Sequence, residues 1–141
     1  MIVKFKKLNP EAIAPEYKTA GAAAFDLSVC SADLHYVEGS PIIIVGTGIA
    51  IEIPTGYFCQ VSLRSSAARG GLMLANGVGV IDSDYRGEIK LLIHGSLIRV
   101  RPGDRIAQGV ILPVPTVLLT EVEELSGTDR GDGGFGSTGR R

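Results

Sequence analysis

The sequence contains no tryptophan and few cysteines or histidines. Its two cysteines, Cys30 and Cys59, are too few for a disulfide-stabilised scaffold, and no Cys-x-x-Cys pair is present. Its two histidines are His35 and His94, and the pattern His-Glu-x-x-His is absent. We therefore do not expect a zinc site built from protein side chains.

The sequence also lacks a long hydrophobic run and an excess of either charge. The longest nearly apolar stretch, residues 41–51, falls well short of the ~20 residues that a membrane-spanning helix needs. The N-terminus has no apolar signal-peptide segment. The 14 basic and 15 acidic residues leave a net charge of −1, whereas duplex nucleic-acid binders normally carry a marked basic excess. We expect a cytoplasmic protein that binds neither membranes nor nucleic acid.

Two common catalytic motifs are missing. The pattern G-x-x-x-x-G-K-[ST] is absent, which excludes a P-loop. The pattern G-x-S-x-G is absent as well, which excludes the nucleophile elbow of the α/β-hydrolases.

The composition favours strands. Valine and isoleucine number 26 against 13 leucines, and branched side chains suit a pleated surface better than a helix. Hydrophobic residues make up 45% of the 141 residues, enough for the core of a single domain. With 19 glycines and 7 prolines as turn residues, these features predict an all-β protein.

Short alternating runs locate some of the strands. Alternation predicts strands over residues 57–63, 49–53 and 88–91, and a mostly apolar run predicts another over 106–112. We expect the core strands to end near Leu119. One short helix is predicted with Ser65 or Ser66 as its N-cap and Gly70 after its last turn.

The densest polar cluster, residues 79–88, lies between two apolar runs, which predicts a tight bend. Asp82 directly follows Val80 and Ile81, so we expect it at the end of a buried strand, where a carboxylate needs a partner or a function. A solvated β-turn would be the structural alternative. Residues 126–141 contain six glycines and cannot fold alone, but such a segment can wrap a phosphate group.

Five segments, in this order along the chain, together resemble the motifs of the homotrimeric dUTP diphosphatase (dUTPase) family. They are AGAAAFDL (residues 20–27), LRSS (63–66), GVIDSDYRGE (79–88), GDRIAQ (103–108) and RGDGGFGSTG (130–139). The resemblance implies a jelly-roll-like β-sandwich over residues 1–125 and a flexible C-terminal arm over residues 126–141. It also implies a homotrimer in which neighbouring subunits share each active site.

The resemblance further implies the site residues. Asp82 looks like the base that activates the attacking water, and Tyr85 looks like the ring packed under the deoxyribose. Asp26 resembles an acidic residue that contacts the metal, Mg²⁺, through water. The remaining implied contacts with the substrate fall into three groups: uracil (Asn76, Gly79, Val80, Ile81), phosphates (Arg64, Ser65, Ser66, Gln108, Arg130, Ser137, Thr138) and the lid over the base (Phe135, Gly136).

The sequence departs from the family pattern in three places. Ala24-Phe25-Asp26 replaces the usual Gly-Tyr-Asp, and Leu63-Arg64-Ser65-Ser66 replaces the frequent Pro-Arg-Ser-Gly. Gly109 stands where a large apolar residue is common. None of these changes removes a chemically essential group.

The implied activity is Mg²⁺-assisted hydrolysis of dUTP to dUMP and pyrophosphate, which limits uracil incorporation into DNA and supplies dUMP for dTMP synthesis. Two alternatives remain open: a dCTP deaminase-like enzyme of the same fold, and a dUTPase-like trimer with an added protein-binding regulatory role. A virus-encoded protein of this kind would work in the host cytoplasm or nucleus.

Overall fold

The computed structural model describes residues 1–30, 34–36, 42–95, 100–134 and 137. Within these ranges the chain forms ten strands and one short helix. The elements are β1 (Lys4–Lys7), β2 (Phe25–Ser28), β3 (Leu34–Tyr36), β4 (Ile42–Gly46), β5 (Ile49–Glu52), β6 (Tyr57–Leu63), α1 (Ser65–Arg69), β7 (Met73–Leu74), β8 (Gly79–Ile81), β9 (Lys90–His94) and β10 (Arg105–Pro113).

Two four-stranded antiparallel sheets enclose the core. Their strand orders are β2-β10-β6-β8 and β3-β4-β9-β7, and β1 pairs with β5 as a separate two-stranded ribbon. Leu27 and Val61 from the first sheet and Val45 and Leu91 from the second belong to one cluster of buried residues. The predicted all-β sandwich is confirmed.

The strand predictions succeed best where one face of the strand is buried. The predicted strand over residues 57–63 is β6, whose inward-facing Cys59 and Val61 are buried. The prediction over 88–91 begins two residues too early, because β9 starts at Lys90. The Glu88 carboxylate instead accepts a hydrogen bond from the Gly48 amide at 2.6 Å.

The helix is confirmed, but its predicted N-cap is wrong. Helix α1 begins at Ser65, and the residue before it, Arg64, makes no side-chain capping hydrogen bond. The Arg64 carbonyl accepts from the amides of Ala67 and Ala68 at 3.0 and 3.1 Å, so both serines lie within the first turn. The helix ends before Gly70, as predicted.

The last strand, β10, ends at Pro113 rather than near Leu119. Beyond it, the apolar side chains of Val117, Leu118 and Leu119 are exposed. No helix in the described ranges is long and apolar enough to cross a membrane.

The two cysteines belong to the core. Both are buried free thiols, and burial raises the pKa of Cys59 to about 11. Since the thiolate is the reactive form, Cys59 is a packing residue and not a nucleophile at neutral pH.

Candidate active site

Strand β10 brings two arginines to one carboxylate. It pairs with β2 on one side and with β6 on the other, so Asp26 of β2 comes close to Arg64, which follows β6. Asp26 Oδ1 lies 3.2 Å from Arg64 Nε, and Asp26 Oδ2 accepts from Arg105 Nη1 at 2.8 Å. The Asp26 side chain is only 11% exposed, so these two ion pairs hold it firmly.

The same register places Gln108 beside this cluster. Gln108 lies opposite Asp26 in β2 and opposite Ser62 in β6, and its Nε2 lies 3.4 Å from Ser62 Oγ. Arg64 Nη1 also donates to the Arg105 carbonyl at 3.2 Å. A cavity of about 450 Å³ adjoins the arginines and is lined in part by Arg64, Ser66, Leu72, Val100, Asp104 and Arg105. The predicted phosphate residues Arg64, Ser65, Ser66 and Gln108 thus lie at one end of the sandwich.

The predicted uracil-binding segment lies at the edge of the same sheet. Strand β8 pairs with β6 on one side only, with Val80 opposite Gln60 and Ile81 opposite Cys59. Asn76 is exposed in the turn that leads into β8, where Gly77 has a φ of +70°. Within the described part of the chain, the second edge of β8 has no strand beside it.

The expectation that Asp82 follows a buried strand is wrong. Val80 is 60% exposed and Asp82 is exposed, because β8 is an edge strand rather than a central one. The Asp82 carbonyl accepts from the Tyr85 amide at 3.2 Å, which closes a turn. A cleft of about 180 Å³ is lined by Val80, Ile81, Asp82, Tyr85, Glu88 and Lys90. Asp82 and Tyr85 therefore face one open cleft next to the strand edge.

Asp82 and the arginine cluster lie at opposite ends of β6. Ile81 pairs with Cys59, so Asp82 comes level with Phe58, whereas Arg64 follows the last residue of β6. Phe58 and Arg64 are six residue steps apart along the extended chain, which is roughly 20 Å at ~3.3 Å per step. Within a single copy of the chain, these two groups of residues do not meet.

The predicted tail contacts fall partly outside the described residues. Arg130 and Ser137 are described and exposed, whereas Phe135, Gly136 and Thr138 lie outside the described ranges. Arg130 Nε donates to the Gly133 carbonyl at 2.9 Å, and the Ser137 amide donates to the Gly134 carbonyl at 3.0 Å. These hydrogen bonds fold the segment locally on itself.

The positions of the acidic side chains determine which kind of metal ion this site could accommodate. Among the described residues, no group of three or more His, Cys, Asp or Glu side chains converges on a point that could hold an ion. Both carboxylate oxygens of Asp26 already contact guanidinium groups. An ion that keeps its waters and binds phosphate oxygens, as Mg²⁺ does, fits this arrangement better than one that needs a protein cage.

The sequence reasoning missed two residues near the site. Arg105 lies within the segment GDRIAQ, but its ion pair with Asp26 depends on strand register, which the motif does not reveal. Glu88 closes the segment GVIDSDYRGE, and its carbonyl accepts from the Tyr85 hydroxyl at 3.0 Å. Because the acceptor is a backbone carbonyl, the residue type at this position carries no signal for the contact.

Comparisons with known proteins agree with this geometry. A family model described as dUTPase matches residues 10–139. A deoxyuridine 5'-triphosphate nucleotidohydrolase of Nautilia profundicola is 46% identical over 144 residues, which cover 99% of this chain and 100% of that protein. The protein of the same name from Syntrophotalea carbinolica is 48% identical over 141 residues, which cover 97% and 96%.

A solved structure with the same architecture is that of a dUTPase variant of Staphylococcus bacteriophage 80alpha with dUpNHpp. It superposes with a TM-score of 0.81 at 26% sequence identity and covers 98% of both chains. This likeness confirms the predicted jelly-roll-like form of the sandwich.

Proposed function

The chain belongs to the dUTPase family, and from this premise we infer that it hydrolyses dUTP to dUMP and pyrophosphate. The observation that carries the inference to individual residues is the open cleft that Asp82 and Tyr85 share beside the free edge of β8. That cleft combines a carboxylate and an aromatic ring with the peptide groups of an edge strand. These are the groups needed to activate a water, pack against a sugar and read a base.

Asp82 is the proposed general base. Hydrolysis at the α-phosphate requires an attacking water that loses a proton, and an exposed carboxylate facing the cleft can both orient that water and accept its proton. A positioned carboxylate base typically contributes ~10²–10⁴ in rate.

The strand edge is the proposed uracil reader. Peptide N–H and C=O groups of Gly79, Val80 and Ile81, together with Asn76, can pair with the polar edge of uracil. Uracil and cytosine present opposite donors and acceptors at N3 and position 4. A site built for uracil leaves buried groups unpaired with cytosine, which discriminates strongly.

Tyr85 is the proposed sugar-reading residue. It is 45% exposed although its hydroxyl donates to the Glu88 carbonyl, so the ring is anchored while part of it remains accessible. A ring held against the deoxyribose rejects a 2′-hydroxyl by steric clash.

Arginine and hydroxyl groups are the proposed phosphate contacts. Arg64, Ser65, Ser66 and Gln108 lie at the end of the sandwich where Asp26 fixes the Arg64 guanidinium. Guanidinium groups neutralise phosphate charge and bind its oxygens through paired N–H donors. Asp26 thus acts as a positioning residue, and a water-mediated metal contact from it remains a prediction.

Mg²⁺ is the proposed cofactor: phosphate oxygens and water would hold it, and Asp26 would be its water-mediated neighbour. Bound there, it would neutralise part of the phosphate charge and polarise the phosphate that is attacked. The protein's own contribution is to hold the phosphates with Arg64, Ser65 and Gln108 and the water with Asp82.

We propose that each active site combines residues of different subunits of a homotrimer. Asp82 and Arg64 must both act within hydrogen-bond reach of one nucleotide, yet they lie roughly 20 Å apart along β6 in a single chain. A second copy supplies the missing group. The arm of residues 126–141 then brings Arg130, Ser137 and Thr138 to the phosphates, and Phe135 with Gly136 over the base.

A substrate panel tests the proposed activity. Purified protein is offered dUTP, dCTP, dTTP and UTP with Mg²⁺, and pyrophosphate and ammonia are measured. We expect pyrophosphate from dUTP alone. Ammonia from dCTP would instead support the deaminase alternative, and no product from any nucleotide would refute the inference of enzymatic activity.

A further inference from the structure

Gly87 lies beside the hydroxyl end of the Tyr85 ring. A Cβ atom built on Gly87 would come within 2.3 Å of Tyr85 Oη, 2.5 Å of Cζ and 3.0 Å of Cε2. Distances this short do not occur between non-bonded atoms, so no side chain fits at Gly87 while the ring keeps its position. The φ of Gly87 is not in the left-handed region, so the backbone itself does not require glycine.

Glu88 holds the same hydroxyl end of the ring. The Tyr85 hydroxyl donates to the Glu88 carbonyl at 3.0 Å. The Glu88 side chain is only 13% exposed, with Oε1 accepting from the Gly48 amide at 2.6 Å and Oε2 lying 3.4 Å from Lys90 Nζ. The peptide that receives the tyrosine hydroxyl is therefore tied to the turn before β5 and to the first residue of β9.

These contacts set how far the ring projects into the cleft. The hydroxyl end of the ring occupies the space that a side chain at Gly87 would need, while Tyr85 as a whole remains 45% exposed and lines the cleft shared with Asp82. Any side chain at Gly87 would therefore push the hydroxyl end of the ring out of this position.

We propose that Gly87 is a specificity-determining position for the sugar of the nucleotide. By leaving space for the hydroxyl end of the Tyr85 ring, Gly87 lets the ring stay where a deoxyribose fits and a 2′-hydroxyl is blocked. This inference rests on the proposed function, in which Tyr85 packs against the sugar. A displacement of about 1 Å at such a contact is enough to cost ~10²-fold in rate.

The test is the ratio of kcat/KM for dUTP to kcat/KM for UTP in Gly87→Ala. We expect this ratio to fall at least about tenfold, because the added methyl group displaces the ring. Gly21→Ala is the matched control, since a Cβ there meets nothing within 4 Å and the backbone φ is not left-handed. A wild-type ratio in Gly87→Ala would overturn the proposal.

A double-mutant cycle separates an effect through the ring from a general disturbance. In the Tyr85→Ala background the ring is gone, so adding Gly87→Ala should leave the ratio unchanged. A further fall in the double variant would overturn the proposal. If Gly87→Ala alone fails to fold, recovery of folding in the double variant supports the ring contact, and failure of both to fold refutes it.

The same measurements distinguish this inference from the function on which it rests. If the wild-type protein shows no preference for dUTP, the proposed function fails. If the preference is present and is lost in Tyr85→Ala but kept in Gly87→Ala, only the role of Gly87 fails.

Discussion

The ring of Phe25 fills the space that a side chain at Gly109 would occupy. A Cβ built on Gly109 would lie 2.5 Å from Phe25 Cζ, 2.6 Å from Cε2 and 3.0 Å from Cys59 Sγ. The two residues are direct partners in the pairing of β2 with β10. Two departures from the family pattern, the phenylalanine before Asp26 and the glycine after Gln108, are therefore linked: the glycine leaves the space that the phenylalanine ring fills.

We predict that Gly109→Ala destabilises the protein. Because Phe25 is 7% exposed and Cys59 is fully buried, the ring has little room to move. Overpacking of this kind costs about 1–3 kcal/mol in unfolding free energy, which urea denaturation measures. Adding Phe25→Leu should restore part of the loss, since the smaller side chain vacates the site.

Gly127→Ala provides the control for this prediction. Its Cβ meets nothing within 4 Å, so the change in unfolding free energy should stay within about 0.5 kcal/mol. Equal effects of Gly109→Ala in the wild-type and Phe25→Leu backgrounds would show that the two residues do not share this space.

Asp26→Asn should weaken substrate binding more than the chemical step. The amide keeps the shape of the carboxylate but loses the charge that holds Arg64 and Arg105 at 3.2 and 2.8 Å. Charge-assisted hydrogen bonds contribute about 1.5–3 kcal/mol, so we expect a comparable loss of stability and a rise of about tenfold in KM for dUTP. Steady-state kinetics and urea denaturation measure the two effects.

Glu52→Gln is the matched control for Asp26→Asn. Glu52 also pairs with a cation, Lys4 at 3.0 Å, but both side chains are at least half exposed. The Lys4 ammonium lowers the pKa of the Glu52 carboxyl, yet exposed ion pairs contribute little to stability. If the KM of Asp26→Asn is no higher than that of Glu52→Gln, Asp26 does not position the arginines for substrate binding.

Deletion of residues 127–141 should separate activity from stability. The hydrogen bonds of Arg130 and Ser137 are made within the segment itself, and the last strand ends at Pro113. We expect the melting temperature to change by no more than about 2 °C while kcat/KM for dUTP falls by ~10² or more. A truncated protein with full activity would refute the proposed closure of the arm.

The sequence predicts local patterns well and the position of a strand within its sheet poorly. Strand β6 was predicted with its observed bounds, because alternation over seven residues reflects one buried face. The burial of Asp82 was predicted wrongly, because the same apolar residues, Val80 and Ile81, occur in edge strands and in central ones. Only the pairing of β8 with a single neighbour decides between the two.

The candidate site shows the same division. The motifs supply Arg64 and Gln108, but their contact with Asp26 depends on β10 pairing with two strands at one register. The sequence predicts Ser65 or Ser66 as the helix cap, whereas the Arg64 carbonyl already accepts the first helical hydrogen bonds. The contact of Asp26 with Arg64 joins residues that are distant in sequence, and the start of the helix depends on which of two adjacent residues is the cap. The composition of the sequence determines neither.

Asp82→Asn should lower kcat for dUTP by ~10² or more while leaving KM nearly unchanged, because an amide cannot accept the proton of the attacking water. Asp84→Asn is the control, since Asp84 is exposed in the same turn but is not assigned a role. A kcat within about threefold of wild type in Asp82→Asn would mean that another group is the base.

The most direct test of the account is complementation between two inactive variants, Asp82→Asn and Arg64→Gln. Each variant alone should be nearly inactive. When both are co-expressed with different tags and mixed oligomers are isolated, a site that takes Asp82 from one copy and Arg64 from another regains both groups. Every mixed trimer then has both groups in one of its three sites, so the isolated mixed trimers should recover about a third of wild-type activity. Activity that stays at the level of the separate variants, in oligomers shown to contain both tags, would contradict a site shared between subunits.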